Sequence, residues 1–296
     1  MLKAAVDIGS NSLLLLVTDG ERVLHDEARV VGLGRGMGER GLFKPDRTEA
    51  AIGVLREYAE RAAALGVPAG EVRAVATSAS RRALNATTFY KEVLRATGLR
   101  VNVISGDEEA RLTWLGGVSG MEIAPGPVLL VDPGGGSTEV ILGEGGHIHS
   151  RTSLEIGTVR LTEKHLGYGD VQPAGLARVR EEIAAAFATV HLAHAPRTAI
   201  AVAGTATTLA ACGLGLAHHD ASQIHNSLLS AGTLRHWIDL LLTASPAQRR
   251  ALVVANPERA DTLLVGACIL LSALELTRRQ AWRVSERGLR YGVVHA

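Results

Sequence analysis

"VLLVDPGGGSTEVIL" occupies residues 128–142, and "AAVDIGSNSLLLL" occupies residues 4–16. In each, an apolar run of strand character ends at an acid, Asp132 or Asp7. A glycine follows two residues later, a small hydroxyl residue comes soon after, and a second apolar run begins. The two acids lie 132 − 7 = 125 residues apart. An apolar strand fixes each carboxylate at its end. Gly9, and Gly134, Gly135 and Gly136, let the backbone bend tightly and bring N–H groups close to an anion. Ser10, Asn11, Ser12, Ser137 and Thr138 add donors. A carboxylate repels phosphate directly but meets it through a hard cation or a water. Either copy alone reads equally as a routine turn. Two copies at the same place in two similar halves predict a pair of phosphate loops.

The surrounding order supports the duplication. Residues 3–8, 13–18 and 22–31 read as successive strands. A helix follows over 46–65, then strand 72–76, a helix around 86–97, strand 101–104 and a helix opening at Gly106. After "PGP" at 125–127 the pattern restarts, with strands at 128–132, 137–142 and 147–153. Helices are expected near 158–166 and 173–193, strand 198–203 next, helices near 205–212, 230–243 and 258–278, a short segment at 282–285 and a last helix at 287–294. This predicts an α/β chain of two domains, 1–120 and 121–296, each a mixed sheet covered by helices and facing a shared cleft, with the C-terminal helix able to pack back on the first domain.

Composition narrows the partners. The chain has 296 residues, 47% hydrophobic and 21% charged, with a net charge of +1 and only 3% aromatics. Ala, Leu and Val must fill the core. There is no stacking platform or global basic field for nucleic acid or an anionic membrane. Cys212 and Cys268 sit in Ala- and Leu-rich stretches outside any CxxC and read as buried free thiols of a reducing, cytoplasmic setting. Asp7 and Asn11 interrupt the first apolar run, so no signal peptide is expected. No run approaches ~20 uninterrupted apolar residues, so no membrane span is expected.

Further phrases bear on chemistry. "VAGTATTLAA" (202–211) ends a strand and opens a helix, offering Gly204 and Thr205 at a helix N-terminus. "ATSASRRALN" (76–85) puts Arg81 and Arg82 just past a strand, where a guanidinium can hold phosphate bidentately or lie solvated on the surface. "ISGDEEARLTWLGGV" (104–118) gathers Asp107, Glu108 and Glu109 at a helix start. Such acids favour the helix dipole, and one of them can equally serve as a general base; spacing does not choose which. His147 and His149 alternate on a strand, His191 and His194 share a helix face, and His218 and His219 sit in a loop. No Cys or carboxylate completes a zinc pattern with them.

Taken together these phrases resemble the exopolyphosphatase/guanosine pentaphosphate phosphatase family, within the superfamily of actin, sugar kinases and Hsp70 ATPases. "DIGSNS" (7–12) and "DPGGGSTE" (132–139) match its phosphate loops. "ATSASRRALN", "ISGDEEARL", "IGTVRLTE" (156–163), "GTATTLAA" (204–211), "QIHNSLLS" (223–230), "ERADTLLVGACIL" (258–270) and "SERGLRYG" (285–292) follow in family order. The resemblance implies two actin-like (ribonuclease H-like) domains with five-stranded sheets. It implies Glu109 as general base, Arg81 on substrate phosphate, Asp132 and Glu139 serving the metal and the water, Asp7 as partner acid for Mg²⁺ or Mn²⁺, and His225 at a phosphate-contacting position. It also implies a homodimer.

Three departures stand out: Pro133 replaces an aliphatic residue in the second loop, Asn226 replaces the usual Gly after His225, and Glu286 stands where Asp is commoner. Longer relatives carry an additional C-terminal helical region that extends the polyphosphate channel, so a preference for short chains or a nucleotide is also expected. The implied activity is release of terminal phosphate from linear polyphosphate. The alternatives are the same chemistry on guanosine pentaphosphate, an ATP-dependent kinase or ATPase of the same superfold, and a sensor that binds polyphosphate or an alarmone without hydrolysis.

Overall fold

The computed structural model describes residues 1–38 and 41–296. The chain forms two compact units, Met1–Gly116 with Leu289–Ala296, and Gly117–Gly288.

The first unit begins with three antiparallel strands, β1 (Lys3–Ile8), β2 (Ser12–Thr18) and β3 (Val23–Val30). Helix α1 (Pro45–Ala64) leads to β4 (Arg73–Ala76), which lies parallel to β1. The short helix α2 (Ser78–Arg82), α3 (Ala86–Thr97) and β5 (Val101–Val103) follow, and then α4 (Gly106–Val118). The sheet order is β3-β2-β1-β4-β5. Pro45 starts α1 at its first turn, where its missing N–H has no partner to lose. Ala51, Leu55, Tyr58, Ala59 and Ala62 recur at helical spacing and are buried against one face of the sheet with Ala4, Val6 and Ile8. The other face, marked by Ala5, Leu16 and Val75, packs on the C-terminal helix α12 (Leu289–His295).

The second unit repeats the plan. Strands β6 (Val128–Pro133), β7 (Thr138–Glu144) and β8 (His147–Leu154) are antiparallel. Next come α5 (Thr158–Leu161), a π turn over Thr162–Leu166, α6 (Pro173–Phe187) and β9 (Thr198–Ala201), which lies parallel to β6. Then follow α7 (Ala203–Gly213), α8 (Ala221–Ile224), β10 (Leu228–Ser230), α9 (Ala231–Thr243), α10 (Pro246–Leu252), α11 (Ala260–Thr277) and β11 (Ala281–Val284). The order is β10-β11-β9-β6-β7-β8. Strands β8, β7, β6, β9 and β11 reproduce the five positions of the first sheet, with the last place filled from the far end of the unit. β10 pairs antiparallel with β11 and makes this sheet six-stranded rather than five.

Two local expectations are corrected. The helix expected to 193 ends at Phe187, so His191 and His194 lie beyond it and share no helix face. The His194 ring instead meets that of His149 on β8, with centroids 5.7 Å apart. The helix expected over 158–166 is a single α turn followed by the π turn. Helix α11 is buried along most of its length, and the Trp282 indole donates to its Leu270 carbonyl at 3.0 Å. The Pro257–Thr277 stretch is long and apolar enough to cross a membrane, which composition alone did not suggest, and 72% of it lies inside the fold.

Candidate active site

Open α/β sheets bind ligands beyond the carboxyl ends of their parallel strands. In the first unit those ends carry the turn at 9–11 (after β1), Arg81 on α2 (after β4) and Glu109 on α4 (after β5). In the second they carry the turn at 134–137 (after β6), Gly204 and Thr205 on α7 (after β9) and the segment 285–288 (after β11). Within each unit, residues far apart in sequence thus collect on one edge of the sheet.

The two turns are built alike. The Gly9 N–H donates to the Ser12 carbonyl at 3.0 Å, and a Cβ on Gly9 would stand 3.0 Å from that oxygen. A Cβ on Gly134 would stand 2.9 Å from the Ser137 carbonyl. In both, the chain that follows the third strand turns back to occupy the carbonyls. Val31 and Gly32 N–H donate to Asn11 O, and Gly34 N–H to Ser10 O at 2.7 Å. Thr158 N–H donates to Gly134 O at 2.9 Å, and Val159 and Arg160 N–H to Gly135 O. Among the described residues, the N–H groups of Ser10, Asn11, Gly135, Gly136 and Ser137 have no backbone acceptor. A turn whose carbonyls are bound and whose N–H groups are unclaimed is a cradle for an anion. The fit is close: a Cβ on Gly157 would lie 2.5 Å from Gly135 O.

The two hydroxyls of the second turn are committed elsewhere, whereas Asn11 Oδ1 in the first is buried without a hydrogen-bond partner among the described residues. Ser10, Asn11 and Ser12 are buried. The Thr138 hydroxyl donates to Ile156 O at 2.7 Å and the Ser137 hydroxyl to Glu139 Oε1 at 2.8 Å, so these two hydroxyls brace the second turn. Pro133 stands at the end of β6, beyond its pairing with β9, and precedes the turn; its carbonyl faces the Thr205 hydroxyl at 3.4 Å. The proline therefore removes none of the unclaimed N–H groups of the second loop.

Arg81 and Glu109 meet directly. Arg81 Nη1 donates to Glu109 Oε2 at 2.6 Å and to the Ile104 carbonyl at 3.1 Å. Glu109 is 7% exposed. Burial pushes its carboxyl above the usual carboxylate range, and the guanidinium opposes that shift. Of the three acids at this helix start, Glu108 pairs outward with Arg111 at 2.8 Å, and its carboxyl is held below the usual range mainly by that bond. Of these acids Glu109 is the buried one, paired with a guanidinium and raised rather than lowered.

Asp132 and Glu139 are direct cross-strand partners on β6 and β7, which puts both carboxylates on one face. Glu139 is 2% exposed and accepts from Ser137 and Ser153 hydroxyls at Oε1. Two adjacent carboxylates, one of them held by hydroxyls, are hard oxygen donors of the kind Mg²⁺ or Mn²⁺ prefers. Among the described residues no group of three or more His, Cys, Asp or Glu is assembled as a metal site. The residues present fit a cation held by one or two carboxylates together with water and phosphate oxygens. Asp7 lies at the matching position of the first unit, on β1.

At the third strand end, Ala203 adopts φ 66° where α7 begins, a conformation that non-glycine residues rarely take. The Arg259 guanidinium lies against the next residue, and a Cβ on Gly204 would stand 2.1 Å from its Cζ. Arg259 is a cation at a helix N-terminus whose phrase the resemblance includes without implying a role for it. Its phrase, "ERADTLLVGACIL", begins 258 − 204 = 54 residues after Gly204, and no local pattern links them. Both ring nitrogens of His225 are bonded to backbone groups within the second unit.

The model of the Ppx/GppA phosphatase family matches residues 16–296. The chain is 38% identical over 295 residues to exopolyphosphatase 2 of Mycobacterium tuberculosis, covering 94% of this chain and 91% of that one. It is 27% identical to the guanosine-5'-triphosphate,3'-diphosphate pyrophosphatase of Aeromonas hydrophila, covering 99% of this chain and 59% of that longer one. The structure of an exopolyphosphatase from Cytophaga hutchinsonii superposes with a TM-score of 0.88 at 26% identity, over 100% of this chain and 97% of that one.

Proposed function

The chain belongs to the Ppx/GppA phosphatase family, and on that premise we propose that it is an exopolyphosphatase, hydrolysing the terminal phosphoanhydride of linear polyphosphate. Water attacks the terminal phosphorus in line. Its oxygen forms the new P–O bond, the bridging P–O bond breaks, and the products are orthophosphate and a chain one unit shorter. Glu109 takes the proton from the attacking water. Arg81 keeps that carboxylate ionised and oriented through Nη1, and its remaining N–H groups face phosphate oxygens. The amides of Ser10 and Asn11 in the first unit, and those of Gly135, Gly136 and Ser137 with Gly204 and Thr205 in the second, bind the charge that grows on phosphoryl oxygens. A divalent cation, Mg²⁺ or Mn²⁺, would be held by Asp132 and Glu139 in the second unit, with Asp7 as the corresponding acid of the first, and would supply charge neutralisation at phosphate.

The observation that carries this reading is the buried Glu109, paired at 2.6 Å with Arg81 on the same sheet edge as an amide-lined turn. The identity of 38% to an exopolyphosphatase, against 27% to a guanosine pentaphosphate-type enzyme, favours polyphosphate over the nucleotide. Two free cysteines support a cytoplasmic setting, and kinship with dimerising relatives supports a homodimer, which light scattering would read. The test is orthophosphate release by purified protein with Mg²⁺ from polyphosphates of several lengths, guanosine pentaphosphate and ATP. Release from polyphosphate first supports the proposal. Release from guanosine pentaphosphate alone transfers the activity to the nucleotide, and binding without release from any substrate makes the protein a sensor.

A further inference from the structure

The chain passes between its two units twice, at Gly116–Gly117 and at Gly288–Leu289. The first passage lies inside α4, the helix that carries Glu109. Gly117 seats that helix on the second unit, since a Cβ there would stand 2.4 Å from Leu130 Cδ1 on β6. β6 is the strand that delivers Asp132 and the second turn. The second passage leads into α12, and in the first unit α12 closes back on α4: a Cβ on Gly292 would stand 1.9 Å from the Leu112 carbonyl.

One side chain joins the two passages on the side of the second unit. His225 follows α8, and its Nδ1 accepts from the Glu286 N–H at 3.3 Å, just before the second passage. An accepting Nδ1 leaves the proton of the neutral ring on Nε2. Nε2 therefore donates to the Gly120 carbonyl at 3.1 Å, two residues beyond α4. The neighbouring residue fixes the ring: Asn226 has φ 66° and its N–H donates to Val284 O at 2.8 Å, tying it to the end of β11. Gly120 (φ +70°) is covered by Arg287, whose Nη1 would stand 2.5 Å from a Cβ there. A glycine lets the two passages approach this closely.

We propose that His225 is a positioning residue: within the second unit it clasps the chain just past α4, at Gly120, to the segment at Glu286 that leads into α12, and so fixes the end of the helix that carries Glu109. This replaces the phosphate-contacting role that resemblance assigned to it, and it rests on the reading that both units serve one hydrolytic reaction. The Gly that usually follows this histidine is Asn226 here, in the left-handed region that Asn tolerates better than most residues.

The test compares wild type with His225→Ala, which removes both bonds, and His225→Gln, which keeps a donor for Gly120. Amide hydrogen exchange is followed over 118–121 and 284–288, alongside steady-state hydrolysis. Loss of the acceptor is expected to speed exchange of the Glu286 amide about tenfold, the scale of one hydrogen bond, with the amides of β6 and β9 unchanged. In the same variant kcat is expected to fall about tenfold with KM within about twofold, as for an interaction that serves the transition state, and His225→Gln recovers part of the loss. Unchanged exchange at Glu286 overturns the clasp, and so does a loss expressed as a matching rise in KM, the mark of a direct phosphate ligand. If His225→Ala does not fold, His225→Gln decides by the same two readouts. The exchange measurement needs no turnover: a wild type that hydrolyses nothing sinks the hydrolytic reading, while the clasp is still judged by exchange.

Discussion

Replacing Arg81 with methionine, which keeps the length of the side chain but removes its charge, should move the acid limb of the pH–rate profile upward. Glu109 is 7% exposed, and its countercharge is the Arg81 guanidinium at 2.6 Å. Burial raises the carboxyl pKa and Arg81 lowers it, so removing Arg81 leaves burial unopposed. An opposite charge at this range lowers a carboxyl pKa, so without Arg81 the limb should move to higher pH.

The rate needs ionised Glu109, so below the new limb kcat falls about tenfold per pH unit. Stability moves with the same group. A carboxyl raised in the folded state binds more protons folded than unfolded, so stability is present below its unfolded pKa and is lost as pH rises through the folded one. Arg81→Met widens that window upward and deepens the loss by about 1.4 kcal/mol for each pH unit that the limb moves. The assays are kcat against pH and Tm against pH, with Arg81→Met/Glu109→Gln as control, in which this part of the Tm dependence should vanish. An acid limb that stays in place or moves down would refute the pairing with Arg81 as what holds Glu109 ionised.

Other consequences are open to simpler tests. Gly204→Ala should disturb the start of α7, because its Cβ falls 2.1 Å from Arg259 Cζ; displacing that cation should weaken phosphate binding, read as a raised KM, with a cost in Tm if Arg259 cannot move. Glu139→Gln keeps the shape of its bonds with Ser137 and Ser153 but removes a charge from the Asp132–Glu139 pair. The concentration of Mg²⁺ needed for half-maximal activity should rise at least about tenfold, the usual scale for losing a ligand interaction; an unchanged metal requirement would remove Glu139 from the cation site. Burial pushes the thiols of Cys212 and Cys268 up to about 11. Cys268 is buried, whereas Cys212, expected buried, is only half-buried; Cys268 should resist alkylation at mildly alkaline pH in the native protein and react on unfolding, and its rapid native labelling would contradict its burial.

Much of this fold is legible in the sequence, for a physical reason. Each half begins with three strands joined by short turns, and local contacts of that kind write themselves into adjacent sequence: apolar run, Asp, Gly, hydroxyl, apolar run. The partners brought in by long connections do not. β11 fills the fifth sheet position from the end of the second unit, and β10 adds a sixth strand of only three residues, too short to show a period. Helix α6 stops at Phe187, and the Thr189 and Val190 N–H groups turn back to the Ala186 and Phe187 carbonyls, an end at β-branched residues that the expected helix ran through. In the candidate site, residue types and strand ends were readable. The 2.6 Å contact of Arg81 with Glu109, the commitment of Ser137 and Thr138 to bracing, the placement of Arg259 over Gly204 and the two bonds of His225 depend on crossovers that no spacing encodes.

Activation of water by Glu109 at a terminal phosphoanhydride is the step on which the rest depends. Its most direct test is single-turnover orthophosphate release from end-labelled polyphosphate, comparing wild type with Glu109→Gln at equal occupancy of substrate. The expected result is a rate lower by about 10²–10⁴, the scale of a general base, with substrate affinity retained. A variant that releases phosphate as fast as wild type would contradict it.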